Sequence, residues 1–257
     1  MRSTQCALVF FILAVVVFGT SGCIDYREQI SFNADGSGTV AGRLFVPSRT
    51  IRQLIDGADS TLYRTTLEKL DPEEIADGIR GDGVTIRSAE RTNTDSGIVL
   101  AIEYAFADLE AFRRTRGNGR DVALSEVDEM YEITLMFSGD SNGLIPSALP
   151  EERNDPSEPA LEITVPTVAT LDSMLAGYRV SFDVNVPTQV VSAPGGRSRG
   201  NAAVFSWSFE RDGRTVLQPK TMRIIFRRDG LVWPTFEAIP YESVDRVPYD
   251  GTWNNEY

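Results

Sequence analysis

The clearest pattern along the chain is an alternation of apolar and polar side chains over residues 25–47. A period of two places alternate side chains on the same face of a strand. The period runs on both sides of the segment NADGSG, whose Asn, Asp and Gly residues favour a tight turn. We therefore predict a β-hairpin with these alternating residues: Tyr26, Glu28, Ile30 and Phe32 before the turn, and Val40, Gly42, Leu44 and Val46 after it.

The spacing becomes helical over residues 48–80, where apolar residues recur every three or four positions. Asp71, followed by Pro72 and two glutamates, is a typical helix start. A second hairpin is predicted over residues 83–106, with its turn in NTDSG. Asp108 is then placed to cap a short helix with the sequence LEAFRR.

The second half of the chain predicts more strands. Met130–Phe137 is one of them, and the others lie at residues 161–165, 179–186, 189–192, 203–209 and 221–227. A short helix is expected at 170–175, and 193–201 is a Gly-rich connection. Hairpins separated by short helices predict an α+β fold that consists mainly of antiparallel β-sheet.

These elements suggest a division of the chain into three parts. Residues 1–22 are predicted to be a signal peptide, and residues 23–228 one β-rich domain with a candidate subdomain seam in the polar, proline-containing loop at 138–159. Residues 229–257 show no clear periodicity, which predicts an extended tail on the domain or a disordered end.

Charge and composition exclude several classes of function. The chain has 257 residues, of which 25 are basic and 37 acidic, and a net charge of −12. Such a surface repels phosphate, so we expect no nucleic acid partner and no electrostatic attachment to a membrane. Histidine is absent and only Cys6 and Cys23 carry thiols, which argues against a zinc site within one chain and against histidine-based catalysis. We expect no metal and no cofactor.

The N-terminus has the three parts of a secretory signal. Positive charge at Met1 and Arg2 precedes an apolar run at residues 6–18, and small residues follow at 19–22. Export is therefore predicted. The alternative is an uncleaved anchor helix, for which the apolar run is shorter than the roughly 20 residues that span a bilayer.

Cys23 is predicted to be the membrane anchor. After cleavage it would be the single cysteine of the mature chain, with no partner for an intramolecular disulfide. The sequence TSGC that ends at Cys23 resembles the bacterial lipobox, although Thr20 replaces the usual leucine or valine. The resemblance implies a diacylglyceryl group on the sulfur, which supplies the two chains that stable anchoring needs. The alternative is ordinary cleavage near Gly22, which leaves a free thiol.

Three motifs imitate functional sites. GDSNG, residues 139–143, matches the G-x-S-x-G pattern at Ser141, but no histidine can activate the serine and Pro146 and Pro150 interrupt the required helix. NADGSG imitates a calcium loop, but its twelfth position is Leu44 and not glutamate, so a hairpin turn is predicted. Adjacent acidic residues are interpreted as solvated faces, and we assign no catalytic residue: Glu73 with Glu74, Glu126 with Asp128 and Glu129, and Glu151 with Glu152.

A family resemblance covers about 45 residues of the chain. GCIDY and ISFNADGSGTV near the start, with VNVPTQVVSAPGGRSRGNAAVFSWSF at 184–209, are similar to LppM-type bacterial lipoproteins. The resemblance implies one exported α+β domain near the membrane, with an apolar cavity for a lipid or another envelope ligand. Relatives often carry a C-terminal transmembrane helix, whereas the polar C-terminus here cannot span a bilayer.

We therefore expect a non-enzymatic lipoprotein of the cell envelope that is tethered through acylated Cys23 and binds a lipid, a glycolipid or an envelope protein. Its ligand-binding residues are unknown at this point. Ile24 after the cysteine, in place of Asp, favours the periplasmic side of the outer membrane if the cell has two membranes. The alternatives are an exported carboxylate-based hydrolase and a purely structural envelope lipoprotein.

Overall fold

The computed structural model describes residues 24–56, 71–116, 121–137 and 175–237, with the side chains of 53–56 excepted. Several predicted features lie outside these residues: the signal peptide, Cys23, the strand at 161–165, the helix at 170–175 apart from Leu175, and the seam at 138–159. The described strands are β1 Asp25–Phe32, β2 Gly38–Pro47, β3 Val84–Thr94, β4 Gly97–Phe106, β5 Val122–Val127, β6 Met130–Phe137, β7 Arg179–Asn185, β8 Val190–Ser192, β9 Arg197–Arg199, β10 Ala202–Ser208 and β11 Lys220–Arg227. The helices are α1 Ser48–Asp56, α2 Pro72–Ile79, α3 Leu109–Arg114 and α4 Phe209–Asp212, and a 3₁₀ turn follows at Gly213–Leu217.

The strands form two sheets. The larger has seven strands in the order β3-β4-β2-β1-β7-β10-β9, and the smaller has four in the order β5-β6-β11-β8. Neighbouring strands are antiparallel, except that β1 and β7 run parallel, with Asp25 opposite Arg179 and Ser31 opposite Asn185. The predicted α+β fold, dominated by antiparallel sheet, is confirmed.

The main hydrophobic core lies between the two sheets. Alternate residues of β1, β7 and β10 face alternate residues of β6 and β11, as the period of two requires. Aromatic rings link the layers: the Phe137 and Phe182 ring centroids are 5.2 Å apart, and those of Tyr26 and Phe137 are 5.8 Å apart. The two sheets therefore bury one continuous apolar layer.

A smaller apolar cluster lies beside the main core, where two helices cover β2 and β4. It consists of Val46, Ile98 and Leu100, with Ile51 of α1 and Ile75 of α2 packed against it. Helix α2 begins as predicted, because the Asp71 side chain accepts the Glu73 N–H at 2.8 Å.

The segment after β11 packs onto the domain. Trp233 is 5% exposed, its backbone N–H donates to the Tyr131 hydroxyl at 2.9 Å, and its ring N–H donates to the Ala34 carbonyl at 2.9 Å. Phe236 exchanges two backbone hydrogen bonds with Leu124, at 2.8 and 2.9 Å. Phe236 thus covers part of the outer edge of β5.

The two predicted hairpins, β1–β2 and β3–β4, and the capped helix α3 are present, and the other predicted strands that lie in the described residues agree within one residue. Strands β5 and β9 were not predicted. β9 has only three residues and lies inside the segment 193–201. The glycines of that segment favour turns, so the pattern predicted a connection and not a strand. β5 has only two buried apolar residues, Val122 and Leu124, before it becomes polar.

Gly38 is a position where the fold requires the absence of a side chain. A Cβ there would lie 2.1 Å from the Ser31 carbonyl oxygen and 2.3 Å from the Phe106 ring. We expect Gly38→Ala to lower the free energy of unfolding by about 1–3 kcal/mol through overpacking. The control is Gly78→Ala on the exposed face of α2, where a Cβ meets nothing within 4 Å and helix propensity improves by up to about 1 kcal/mol. Equal stabilities of the two variants in urea would contradict the packing described.

Candidate functional site

A charged residue lies on the buried face of the central strand. Glu28 shares the inner face of β1 with Tyr26, Ile30 and Phe32, and it is 4% exposed. Its strand neighbours are Gly42 on β2 and Phe182 on β7. A carboxylate in such surroundings needs hydrogen bonds and an opposite charge, because burial without them is costly.

The opposite charge comes from Arg116, just after α3. This helix begins at Leu109 because the Asp108 side chain accepts the Ala111 N–H at 2.7 Å, and it buries Phe112 completely. The chain then turns inward, and Arg116 Nη2 donates to Glu28 Oε1. The guanidinium carbon also lies 5.0 Å from the centroid of the Phe112 ring, within the range of a cation–π contact.

Two tyrosines and a threonine complete this group, which we call the Glu28–Arg116 cluster. The Tyr26 hydroxyl donates to Glu28 Oε2 at 2.6 Å, so both carboxylate oxygens of Glu28 carry a hydrogen bond. The Tyr104 hydroxyl lies 3.2 Å from Thr115 Oγ1, which donates to the Phe112 carbonyl at 2.7 Å. The cluster therefore joins β1, β4 and the end of α3.

The electrostatics of the cluster keep its tyrosines neutral and its arginine charged. Burial raises the pKa of Tyr26 well above the usual value, and the negative charge of Glu28 raises it further. Burial also raises the pKa of Tyr104, against the opposing effect of Arg116. For Arg116, burial acts to lower the pKa, but Glu28 and the tyrosine oxygens outweigh it and the pKa is raised.

The cluster has the chemistry of a binding group. The Glu28 side chain is buried and both its oxygens accept a hydrogen bond, which makes it a support for the guanidinium and a poor candidate for a general base. Arg116 Nε is buried without a hydrogen-bond partner among the residues that the structure describes, and 18% of the Arg116 side chain is exposed. An unused N–H of a desolvated guanidinium suits a carboxylate or phosphate oxygen.

The acidic pairs singled out in the sequence take no part in this cluster. Glu73 and Glu74 lie exposed in the first turn of α2, and Glu126 forms an ion pair with Arg228 at the β5–β6 hairpin. Glu151, Glu152 and Ser141 lie outside the described residues. The NADGSG segment forms the predicted hairpin turn, in which Asp35 Oδ1 accepts the Ser37 N–H at 3.0 Å.

Three surface carboxyl groups have a lowered pKa. Hydrogen bonds from Ser37, Arg223 and Arg211 lower the pKa of, respectively, Asp35, Glu132 and Asp212. A general acid at neutral pH needs a shift in the opposite direction. These three side chains therefore have the electrostatics of structural ion pairs and turns.

The described residues contain neither a group of metal ligands nor a helix that could span a membrane. Within residues 24–56, 71–116, 121–137 and 175–237, no three or more Asp, Glu, His or Cys side chains are grouped so that they could hold a metal ion. Over the same ranges, no helix has both the length and the apolar character needed to cross a bilayer.

Comparison with solved structures gives a match at low sequence identity. The chain is similar to the folded domain of LppM from Mycobacterium tuberculosis, determined by NMR, with 13% identity and a TM-score of 0.37 over 80% of this chain and 91% of that domain. LppM is the protein after which the LppM-type family is named, and the turn-and-strand motifs of this sequence resemble that family. The match concerns the folded domain alone. No family model and no curated protein matches the chain.

One member of the cluster has a signal in the sequence. Glu28 occupies a position where the alternation of β1 predicts an apolar residue, and a charge on a buried face indicates a partner. Arg116 has no such signal, because it follows a short helix and comes 88 positions after Glu28. Cys23, the anchor predicted from the sequence, lies one residue before the described part of the chain.

The buried ion pair predicts a specific pattern of stabilities. Removing one partner leaves an uncompensated charge, so Arg116→Met and Glu28→Leu should each cost about 3–5 kcal/mol in free energy of unfolding, with the double variant costing less than either. The control is Arg223→Met, which breaks the more exposed pair with Glu132 and should cost about 1 kcal/mol or less. Additive losses in urea denaturation would show that the two residues do not interact.

The tyrosines predict a loss of stability at alkaline pH. A folded-state pKa above the unfolded value means that the full contribution is present below the usual pKa of 10.0 and is lost as the pH rises through the folded pKa. Urea midpoints measured from neutral pH to above 10.0 should therefore fall for the natural chain and fall less for Tyr26→Phe. Identical alkaline profiles would contradict the burial of the Tyr26 hydroxyl.

Proposed function

We propose that this protein is an exported lipoprotein of the cell envelope, tethered through acylated Cys23, and that its domain binds an envelope ligand without catalysing a reaction. The ligand class that suits the domain is an amphiphile with an acidic group, such as a lipid or glycolipid. An acidic segment of an envelope protein would offer the same chemistry to the Glu28–Arg116 cluster.

One observation carries the binding proposal, namely the unused N–H of Arg116. The guanidinium is already desolvated and oriented by Glu28 and Phe112, so an incoming anion would not have to order the side chain. Glu28 neutralises the single positive charge of Arg116, and a ligand oxygen at Nε would add a second hydrogen-bond acceptor to the same guanidinium. The sequence motif TSGC supports the anchor.

The surroundings of the cluster favour an amphiphile over a small polar ligand. Phe112 and Phe182 are almost completely buried beside it, and Tyr26 stacks on Phe137 with an interplanar angle of 19°. Binding sites for small molecules commonly combine apolar walls with a few polar groups that fix orientation. Aromatic side chains of this kind surround Arg116.

A single extraction experiment tests both parts of the proposal. Full-length protein is isolated from membranes in mild detergent, and its intact mass and coextracted small molecules are measured in the same run. We expect a chain that begins at Cys23 and carries acyl mass, together with an acidic amphiphile. Arg116→Lys keeps the charge but removes the Nε donor, so it should lose the amphiphile, whereas the control Arg223→Lys on the exposed sheet face should retain it.

The outcomes separate the two parts. A chain that begins at Cys23 without acyl mass, or one that retains residues 1–22, would exclude the lipid anchor. Equal coextraction by Arg116→Lys and Arg223→Lys, or no coextracted amphiphile with either, would exclude the cluster as the ligand site.

A further inference from the structure

We draw no further inference here: the strongest candidate, the outer face of the four-stranded sheet, where Val127 and Val191 are exposed and Met130 and Ile225 are half-buried, carries none because nothing in the residues that the structure describes shows what covers it.

Discussion

The arrangement of the domain depends on the parallel pairing of β1 with β7. β1 is hydrogen-bonded along both edges, antiparallel to β2 and parallel to β7. This pairing joins a hairpin-rich N-terminal half to strands that come about 150 residues later. Because β1 is interior to the sheet and its inner face is covered by the smaller sheet, each inner side chain of β1 becomes a core residue. Glu28 is buried for that reason.

A buried acid on a central strand needs a compensating partner, and Arg116 supplies it. Replacing such a pair by apolar residues is often neutral or stabilising, so the pair is weak evidence that it exists for stability alone. It does fix where α3 ends relative to β1, since each alternative position would leave a buried charge unpaired. The binding role proposed for the unused Nε hydrogen would account for a guanidinium in a place that a methionine could fill.

Local features were predictable from sequence and long-range ones were not. The hairpins β1–β2 and β3–β4 follow from alternation around turn residues, and α3 follows from Asp108. The pairing of β1 with β7 has no local signal, since nothing in either strand specifies the other. The site was missed for the same reason: Glu28 was visible as a charge in an apolar pattern, but its partner came from a remote turn.

The order of the strands along the chain has a consequence for biogenesis. Ser31 of β1 contacts Asn185 of β7, 154 positions later. At synthesis rates of roughly 5–20 residues per second, β1 would wait about 8–30 s with one edge open. An open strand edge with an apolar face is a template for wrong pairing. The first strand of the described residues thus gains its second neighbour late, and its edge is exposed to wrong pairing until β7 has been made.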